Sequence, residues 1–283
     1  MPITPSPLRY PGGKTKLYEY VRTILTANDI HGTYIEPFAG GAGLALKLLL
    51  NDDIERIVIN DSDTSIYSFW DCVLNHSDEL CDFIQNVPLS TEQWKLEHQI
   101  YQNQAEYNRF QIGAATLYLN RTNVSGVIKG GVIGGNDQNG PYKMDARFNR
   151  NSLCNKIVTI ANNKDRIDLY HYDIFDFLCS REYKHYYKAF INFDPPYVNK
   201  GGQLYMNFFQ ESDHKKLKAI IDRSSRKWMV TYDECELIEN LYSKYRKSHL
   251  NLTYSANGSR KARELVYFSN NLIIPDQVAL DLR

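Results

Sequence analysis

Short runs rich in β-branched and aromatic residues recur along the chain, each bounded by polar or turn-forming residues. Tyr34 to Pro37, Arg56 to Asn60, Arg166 to His171, Ala189 to Phe193, Lys227 to Thr231, Arg246 to Leu252 and Glu264 to Ser269 have the length and composition of strands. Between them, Lys14 to Thr26, Leu44 to Leu50, Ser65 to Asn75 and Asp213 to Asp222 carry apolar side chains at helical spacing. Strand and helix alternate through the first eighty residues and again after residue 165, which predicts an α/β sheet with helices on both faces.

The middle of the chain breaks this rhythm. Ser77 to Val87, Thr91 to Gln104 and Glu106 to Asn120 all read as helices, with Ser90 or Thr91 placed to cap the second, and no strand-like run interrupts them. A helical insertion over residues 77–164 is therefore expected between the α/β segments 1–76 and 165–283. Within it, the glycine-rich stretch Gly126 to Asp137 reads as a hairpin or an exposed loop.

With 283 residues, the chain is long enough to bury a substantial core as one large domain or two modest ones. No apolar run is long enough to span a bilayer, and Met1-Pro2-Ile3-Thr4-Pro5-Ser6 lacks the pattern of a signal peptide, so a cytoplasmic location is expected. Five scattered cysteines without a Cys-x-x-Cys pair argue against a disulfide framework and against a structural zinc site, and no metal is expected. Thirty-three basic and thirty-three acidic residues cancel, but they are unevenly spread. Between Ser243 and Arg263, Lys244, Arg246, Lys247, Arg260, Lys261 and Arg263 meet no acid; Arg121, Lys129, Lys143, Arg147, Arg150 and Lys156 are opposed by Asp137 and Asp145 alone. Each cluster fits a phosphate-facing surface or an ordinary solvated face.

Candidate chemistry stands at the end of the Ala189 to Phe193 run, where Asp194-Pro195-Pro196-Tyr197 follows directly. A carboxylate there can accept a hydrogen bond from the exocyclic amino group of a nucleobase, drawing the nitrogen lone pair out of ring conjugation and toward a methyl donor. Two prolines fix φ and leave carbonyls free as further acceptors. An aromatic ring at the fourth position can stack on a base swung out of the duplex. The same tetrapeptide also fits a strand ending in a proline-rich turn.

Upstream, Thr33-Tyr34-Ile35-Glu36-Pro37-Phe38-Ala39-Gly40-Gly41-Ala42-Gly43 reads as strand, glycine turn and helix start. That layout lets backbone approach a ligand closely, but the dinucleotide pattern Gly-x-Gly-x-x-Gly is absent. The following strand ends at Asp61, an acid suited to a ribose diol and equally to a helix cap. Adenosine without pyrophosphate, as in S-adenosylmethionine, fits this arrangement.

Together with Leu8-Arg9-Tyr10-Pro11-Gly12-Gly13-Lys14, these segments resemble the adenine-specific DNA methyltransferases of the Dam type. In that family an aromatic-x-Gly-Gly-Lys segment comes first, Glu-Pro-Phe-x-Gly-x-Gly follows and Asp-Pro-Pro-Tyr comes late. Further matches keep the order: Asn60-Asp61, Tyr172-Asp173-Ile174-Phe175, Phe208 with Asp213-His214, and Asn257-Gly258-Ser259-Arg260-Lys261. The resemblance spans nearly the whole chain and implies a Rossmann-like methyltransferase sheet with a helical target-recognition insertion at 77–164. Residues 1–76 would then be the cofactor-binding part of the catalytic domain and 165–283 its substrate-base part. It implies methyl transfer from S-adenosylmethionine to the 6-amino group of a flipped adenine in double-stranded DNA, by an enzyme expected to be monomeric. A cognate restriction endonuclease would be a further partner if the enzyme serves a restriction-modification system.

The resemblance also assigns roles. Asp194 and the Pro196 carbonyl, on the loop stiffened by Pro195, would hold the substrate amino group, with Tyr197 beneath the ring. Tyr10 and Lys14 would meet the cofactor; Glu36, Phe38, Gly40 and Gly43 would shape its loop; Asp61 would hold the ribose, and Asp173 with Phe175 would border the adenine. Asp194 would also border the cofactor. Arg121, Ser125, Lys129, Lys143, Arg147, Arg260 and Lys261 would contact DNA.

Motif order separates this reading from its rivals. RNA adenine methyltransferases have a shorter spacing and often Asn for Asp, ring-carbon cytosine enzymes need a Pro-Cys nucleophile, and cytosine amino-methyltransferases usually carry Ser at the first loop position. No cysteine here follows a proline. A DNA-binding protein that lost catalysis is the reading from another class, and the intact glycine loop and Asp194 to Tyr197 argue against it. The resemblance frays at Arg121-Thr122-Asn123-Val124-Ser125-Gly126-Val127-Ile128-Lys129, where enzymes that read GATC tend to carry Arg-x-x-Tyr-Asn-Gly-Leu-x-Arg. Val124 replaces the aromatic, Ser125 the Asn, and Lys129 the distal Arg with its planar fork, which puts GATC recognition in question.

Overall fold

The computed structural model describes residues 4–10, 12–198, 209–254 and 260–275. Its strands are β1 (Thr33–Glu36), β2 (Arg56–Asn60), β3 (Ile167–Tyr170), β4 (Phe190–Phe193), β5 (Lys227–Asp233), β6 (Arg246–Tyr254) and β7 (Arg260–Phe268). They form one seven-stranded sheet in the order β3-β2-β1-β4-β5-β7-β6. β1 pairs in parallel with β2 and β4, β4 in parallel with β5, and β7 runs antiparallel between β5 and β6. All four residues of β4 and the last six of β5 are buried, so neither face of the sheet centre meets water. Helices cover both faces, as the near-continuous apolar strands require. The fold is the α/β sheet the pattern predicts, in the Rossmann-like form that the resemblance implies.

The helices are α1 (Tyr18–Ala27), α2 (Gly43–Leu50), α3 (Thr64–Asn75), α4 (Ser77–Asn86), α5 (Thr91–Gln102), α6 (Arg109–Thr122), α7 (Arg150–Ala161), α8 (Ile174–Cys179), α9 (Arg181–His185), α10 (Glu211–Asp222) and α11 (Glu236–Leu241). A 3-10 turn, Lys14–Leu17, precedes α1, so the helix expected from Lys14 starts four residues late. Ser90 caps α5 by accepting from the Gln93 N–H at 3.2 Å, and Asn108 with Gln111 makes a reciprocal capping box that starts α6 at Arg109 rather than Glu106. α7, α8, α9 and α11 have no counterpart in the sequence reading. α7 buries Leu153, Ile157 and Ile160 at helical spacing, but the residues between them are mostly polar. Among the matched motif residues, Phe208 and Asn257-Gly258-Ser259 lie outside the described residues. Among the described residues, no helix is long and apolar enough to cross a membrane.

The chain divides into two compact units. One comprises Lys14–Ala39, Leu44–Ser62 and Tyr170–Arg283, and its apolar core joins Ile35, Val58, Ile191, Val230 and Leu265 of the sheet to Leu217 and Ile221 of α10. The other comprises Met1–Gly13, Gly40–Gly43 and Asp63–Leu169. At its centre, α6 is buried continuously from Ile112 to Asn120, and packs against α3 and α5. The end of α4 is closed by Arg150, which donates to the Ile84 carbonyl and, at 2.8 Å, to that of Val87, satisfying carbonyls the helix leaves unpaired. The glycine-rich stretch is a series of turns closed by an antiparallel bridge between Asn123 and Val132.

Close approach of α6 to α3 depends on Gly113. A Cβ there would lie 2.4 Å from the Ser68 carbonyl oxygen and 2.5 Å from Cys72 Sγ, on backbone and a buried side chain that have no room to yield. Gly113→Ala is expected to lower stability by about 1–3 kcal/mol despite the better helix propensity of alanine. The measurement is urea denaturation, and an unchanged or raised midpoint would show that the α3–α6 contact is not tight.

Candidate functional site

The end of β4 delivers Asp194 to the edge of the parallel strands, with Pro195, Pro196 and Tyr197 buried behind it. The Asp194 side chain is 25% exposed, and its two oxygens are held differently. Oδ1 accepts from Thr231 Oγ1 at 2.6 Å and from the Tyr197 hydroxyl at 3.3 Å. Oδ2 faces the Lys14 ammonium at 2.8 Å. Lys14 Nζ also donates to the Tyr197 hydroxyl at 2.9 Å and lies 3.6 Å from Glu264 Oε2 on β7. The loop's exit is fixed by the Val198 N–H, which donates to Asp233 Oδ1 at 3.1 Å. Lys14, which the resemblance associated with the cofactor, thus touches the carboxylate proposed for chemistry. Thr231 and Glu264 join this cluster and carry no motif of their own; both are buried polar residues beside buried apolar ones.

Glu36 ends β1 beneath this loop. Burial pushes its carboxyl up to about 8, opposed by hydrogen bonding from Tyr34 and reinforced by the charge of Asp194. The Tyr34 hydroxyl donates to Glu36 Oε1 at 3.2 Å. One strand over, Asn60 binds three backbone groups: its amide donates to the Pro37 carbonyl at 3.1 Å and the Tyr172 carbonyl at 3.2 Å, and its oxygen accepts from the Tyr172 N–H at 3.0 Å. Asp61 follows, partly exposed. The cap of α3 is Asp63, which accepts from the Ser65 N–H at 2.8 Å, so the capping role considered for Asp61 belongs to its neighbour.

Three phenylalanines gather in the same unit. Phe209 lies 5.8 Å from Phe38, edge-on, and 6.1 Å from Phe175, stacked. Lys216 Nζ sits 3.8 Å from the centroid of the Phe175 ring. Asp173 caps α8 by accepting from the Phe175 N–H at 2.8 Å. The aromatic that joins Phe38 to Phe175 is Phe209, one residue beyond the Phe208 that the motif comparison picked out. An acid at the tip of β2 and an aromatic cluster two loops away form a donor set that suits an adenosine: a carboxylate for the diol and ring faces for the base.

In the other unit, Tyr10 covers the glycine loop. A Cβ on Gly40 would lie 2.5 Å from the Tyr10 ring and one on Gly41 2.7 Å from Tyr10 Cβ, so both glycines are needed for this packing. Gly40 and Ala42 have φ of 46° and 45°, the tight left-handed turn that leads into Gly43 at the start of α2. Trp70 Nε1 donates to the Gly40 carbonyl at 2.9 Å and holds the turn in place.

The expected DNA-contacting residues of this unit fall into two groups. Lys129, Lys143 and Arg147 are exposed. Arg121 is largely covered: it donates to the Pro7 carbonyl at 3.4 Å, and burial, with Arg9 and Arg147 nearby, lowers its pKa to about 10. Ser125 has φ 58°, and Gly126 lies so close to Arg9 that a Cβ would stand 2.1 Å from the Arg9 carbonyl oxygen. Asn120 grips Arg9 from both sides, accepting from its N–H at 2.7 Å and donating to its carbonyl at 3.1 Å. Arg260 and Lys261 lie on β7; their side chains are outside the described residues.

The model of the family described as D12 class N6 adenine-specific DNA methyltransferase matches residues 10–256. A Type II methyltransferase, M.MjaIII of Methanocaldococcus jannaschii, is 26% identical over 246 residues, covering 79% of this chain and 82% of that protein. Among solved structures, the rRNA methyltransferase aviRa from Streptomyces viridochromogenes superposes with a TM-score of 0.39 and 11% identity, over 92% of this chain and 85% of that one. The methyltransferase domain of bacterial CtHen1 gives 0.37 and 10%, over 90% and 98%. Both scores are below 0.5, and neither likeness bears on the chemistry.

The raised Glu36 carboxyl has a consequence for stability. Its folded value, about 8, lies above the ordinary 4.5, so the folded state binds a proton that the unfolded chain has released between those limits. Stability therefore falls as pH rises from about 4.5 to about 8 and is level beyond, each pH unit of the window carrying about 1.4 kcal/mol. Glu36→Gln is expected to remove this slope, so that the variant gains on the parent across that window. Parallel denaturant titrations at several pH values check it, and equal slopes in both proteins would refute it.

Proposed function

The chain belongs to the family of D12 class N6 adenine-specific DNA methyltransferases, and on that premise we propose that Asp194 is the acceptor that binds the adenine amino group during methyl transfer. The enzyme is an adenine-specific DNA methyltransferase. S-adenosylmethionine is the donor that suits the residues present, and when bound it supplies an electrophilic sulfonium methyl. Asp61 would hold the ribose hydroxyls, and Phe38 with Phe175, bordered by Asp173, would flank the adenine of the cofactor. Glu36, Gly40 and Gly43 shape the same segment of chain, with Tyr10 packed on its glycines.

The chain's own part in the reaction is mostly orientation. Asp194 accepts one N–H of the flipped adenine's 6-amino group, and the Pro196 carbonyl accepts the other, which directs the nitrogen lone pair out of the ring. The prolines keep both acceptors in place without backbone donors to compete. Tyr197 offers its ring to the base. Holding the nucleophile in line with the methyl group supplies much of the acceleration, because a displacement at a sulfonium methyl needs no covalent enzyme intermediate. The carrying observation is that Asp194 stands at the end of the buried strand β4, fixed through both oxygens and still 25% exposed.

Residues 77–164 are proposed to recognise the DNA target, with exposed Lys129, Lys143 and Arg147 and the Ser125 turn as the contacting elements. Arg260 and Lys261 would add phosphate contacts. Arg121, being covered and bonded to Pro7, would support the turn while adding positive potential. Val124, Ser125 and Lys129 stand where enzymes that read GATC tend to carry Tyr, Asn and Arg, which puts GATC recognition in question. A restriction endonuclease of the same site specificity fits the Type II relative. The resting protein would act as a monomer in the cytoplasm.

Asp194→Ala is expected to lower single-turnover methyl transfer about a hundredfold or more while leaving DNA binding intact. A rate above a tenth of the parent's would overturn the assignment. Asp61→Ala is expected to weaken S-adenosylmethionine binding by about 1.5–3 kcal/mol, the worth of hydrogen bonds to a charged group. Calorimetry on the folded variant decides, and unchanged affinity would remove Asp61 from the site.

A further inference from the structure

Lys14 is 5% exposed and Glu264 1%, and an ammonium and a carboxylate so deeply buried are costly to desolvate. A pair of this kind is weak evidence for stability, since apolar residues of like size often do as well. What the arrangement does provide is direction. Lys14 has three N–H donors and faces Asp194 Oδ2 at 2.8 Å, the Tyr197 hydroxyl at 2.9 Å and Glu264 Oε2 at 3.6 Å.

The acceptor capacity of Asp194 gives this direction a use. A carboxylate has about four lone-pair positions. Among the described residues, Thr231 and Tyr197 take those on Oδ1, and Lys14 takes one on Oδ2. The position left for an incoming amino group is therefore on the oxygen that Lys14 already holds. How strongly that oxygen accepts depends on how much of the ammonium's charge falls on it. Glu264, on the far side of Lys14, draws part of that charge away.

We propose that Glu264 is a positioning residue for methyl transfer: acting through Lys14, it sets the orientation and acceptor strength of Asp194 Oδ2 toward the adenine amino group. The proposal rests on the reading of Asp194 as the acceptor. It gives Lys14 a role in the chemistry, distinct from the cofactor contact that the family resemblance implied. It also explains why a strand outside the parallel core carries an acid among the buried residues Leu265, Val266 and Tyr267. With Glu264 neutralised, more of the ammonium charge bears on Asp194 and Tyr197, and the amino group competes for a weaker acceptor.

A double-mutant cycle tests this. Glu264→Gln keeps the shape and is expected to slow single-turnover transfer about tenfold, the scale of a modest misplacement of a reacting group. Affinities for S-adenosylmethionine and for DNA, and the urea midpoint, are expected to stay near those of the parent. Lys14→Met should also slow transfer, because Asp194 Oδ2 loses the ammonium that orients it, with cofactor affinity preserved, and adding Glu264→Gln to it should cost nothing further, because the effect of Glu264 on transfer runs through Lys14. Transfer by Glu264→Gln at the parent rate, or an equal slowing in the presence and absence of Lys14, would overturn the proposal, as would loss of cofactor affinity in Lys14→Met. If Glu264→Gln fails to fold, Glu264→Asp takes its place in the cycle: it retains the charge at greater distance, and should slow transfer less than Lys14→Met and only when Lys14 is present. Asp194→Ala separates the two readings. An active Asp194→Ala would remove the acceptor itself, whereas an inactive one beside a fully active Glu264→Gln would remove only the role of Glu264.

Discussion

The carboxamide of Asn60 is the joint on which the candidate site depends. It satisfies the Pro37 carbonyl and both backbone groups of Tyr172, while the Asn60 carbonyl accepts from the Ala39 N–H at 2.9 Å. These loops leave β1 and β3 on either side of β2, and without a shared partner their polar groups would be buried unpaired. Glu36, Phe38, Asp61, Asp173 and Phe175 all lie within three residues of a group that Asn60 binds or of Asn60 itself. Asparagine serves because it offers donors and an acceptor from one planar group. An aspartate could not donate, and would leave two carbonyls without partners.

Charge is arranged as carefully as hydrogen bonding. Glu36 and Asp194 lie close enough to feel each other's charge, and the fold treats them differently. Glu36, sealed beneath Tyr34, is pushed toward its neutral form. Asp194 has an ammonium on one oxygen and a hydroxyl on the other. Both stand at the ends of parallel strands that pair directly with each other, so it is the surroundings of each side chain, not its place in the sheet, that differ.

Much of this was legible in the chain. The strands were readable because buried parallel strands are nearly continuous apolar runs, and β4 with its terminal acid announced itself in five letters. Ser90 declared a helix start through its own side chain, whereas the Asn108 capping box that starts α6 went unread. The misses have physical causes. α7 hides its three buried residues among polar ones, and α8, α9 and α11 are too short to show a period. Thr231 could not be read as a partner of Asp194, nor Glu264 as a neighbour of Lys14, because their meeting is created by the order of β4, β5 and β7 in the sheet. Phe209 carries no motif, and its place between Phe38 and Phe175 shows only in the ring geometry.

Lys14 and Glu264 are separated by 250 residues (264 − 14) in sequence and by 3.6 Å in space. A contact between groups so far apart along the chain is among the last to form, because a long loop must close before it is rewarded. During synthesis, Lys14 emerges early and Asp194 much later, but β7 comes after both. The growing polypeptide can assemble β1, β2 and β4 while the ammonium still lacks its second carboxylate. Strand β7 thus acts as a built-in completion signal, and the Lys14–Asp194 pair acquires its third charged neighbour only once Glu264 has been made.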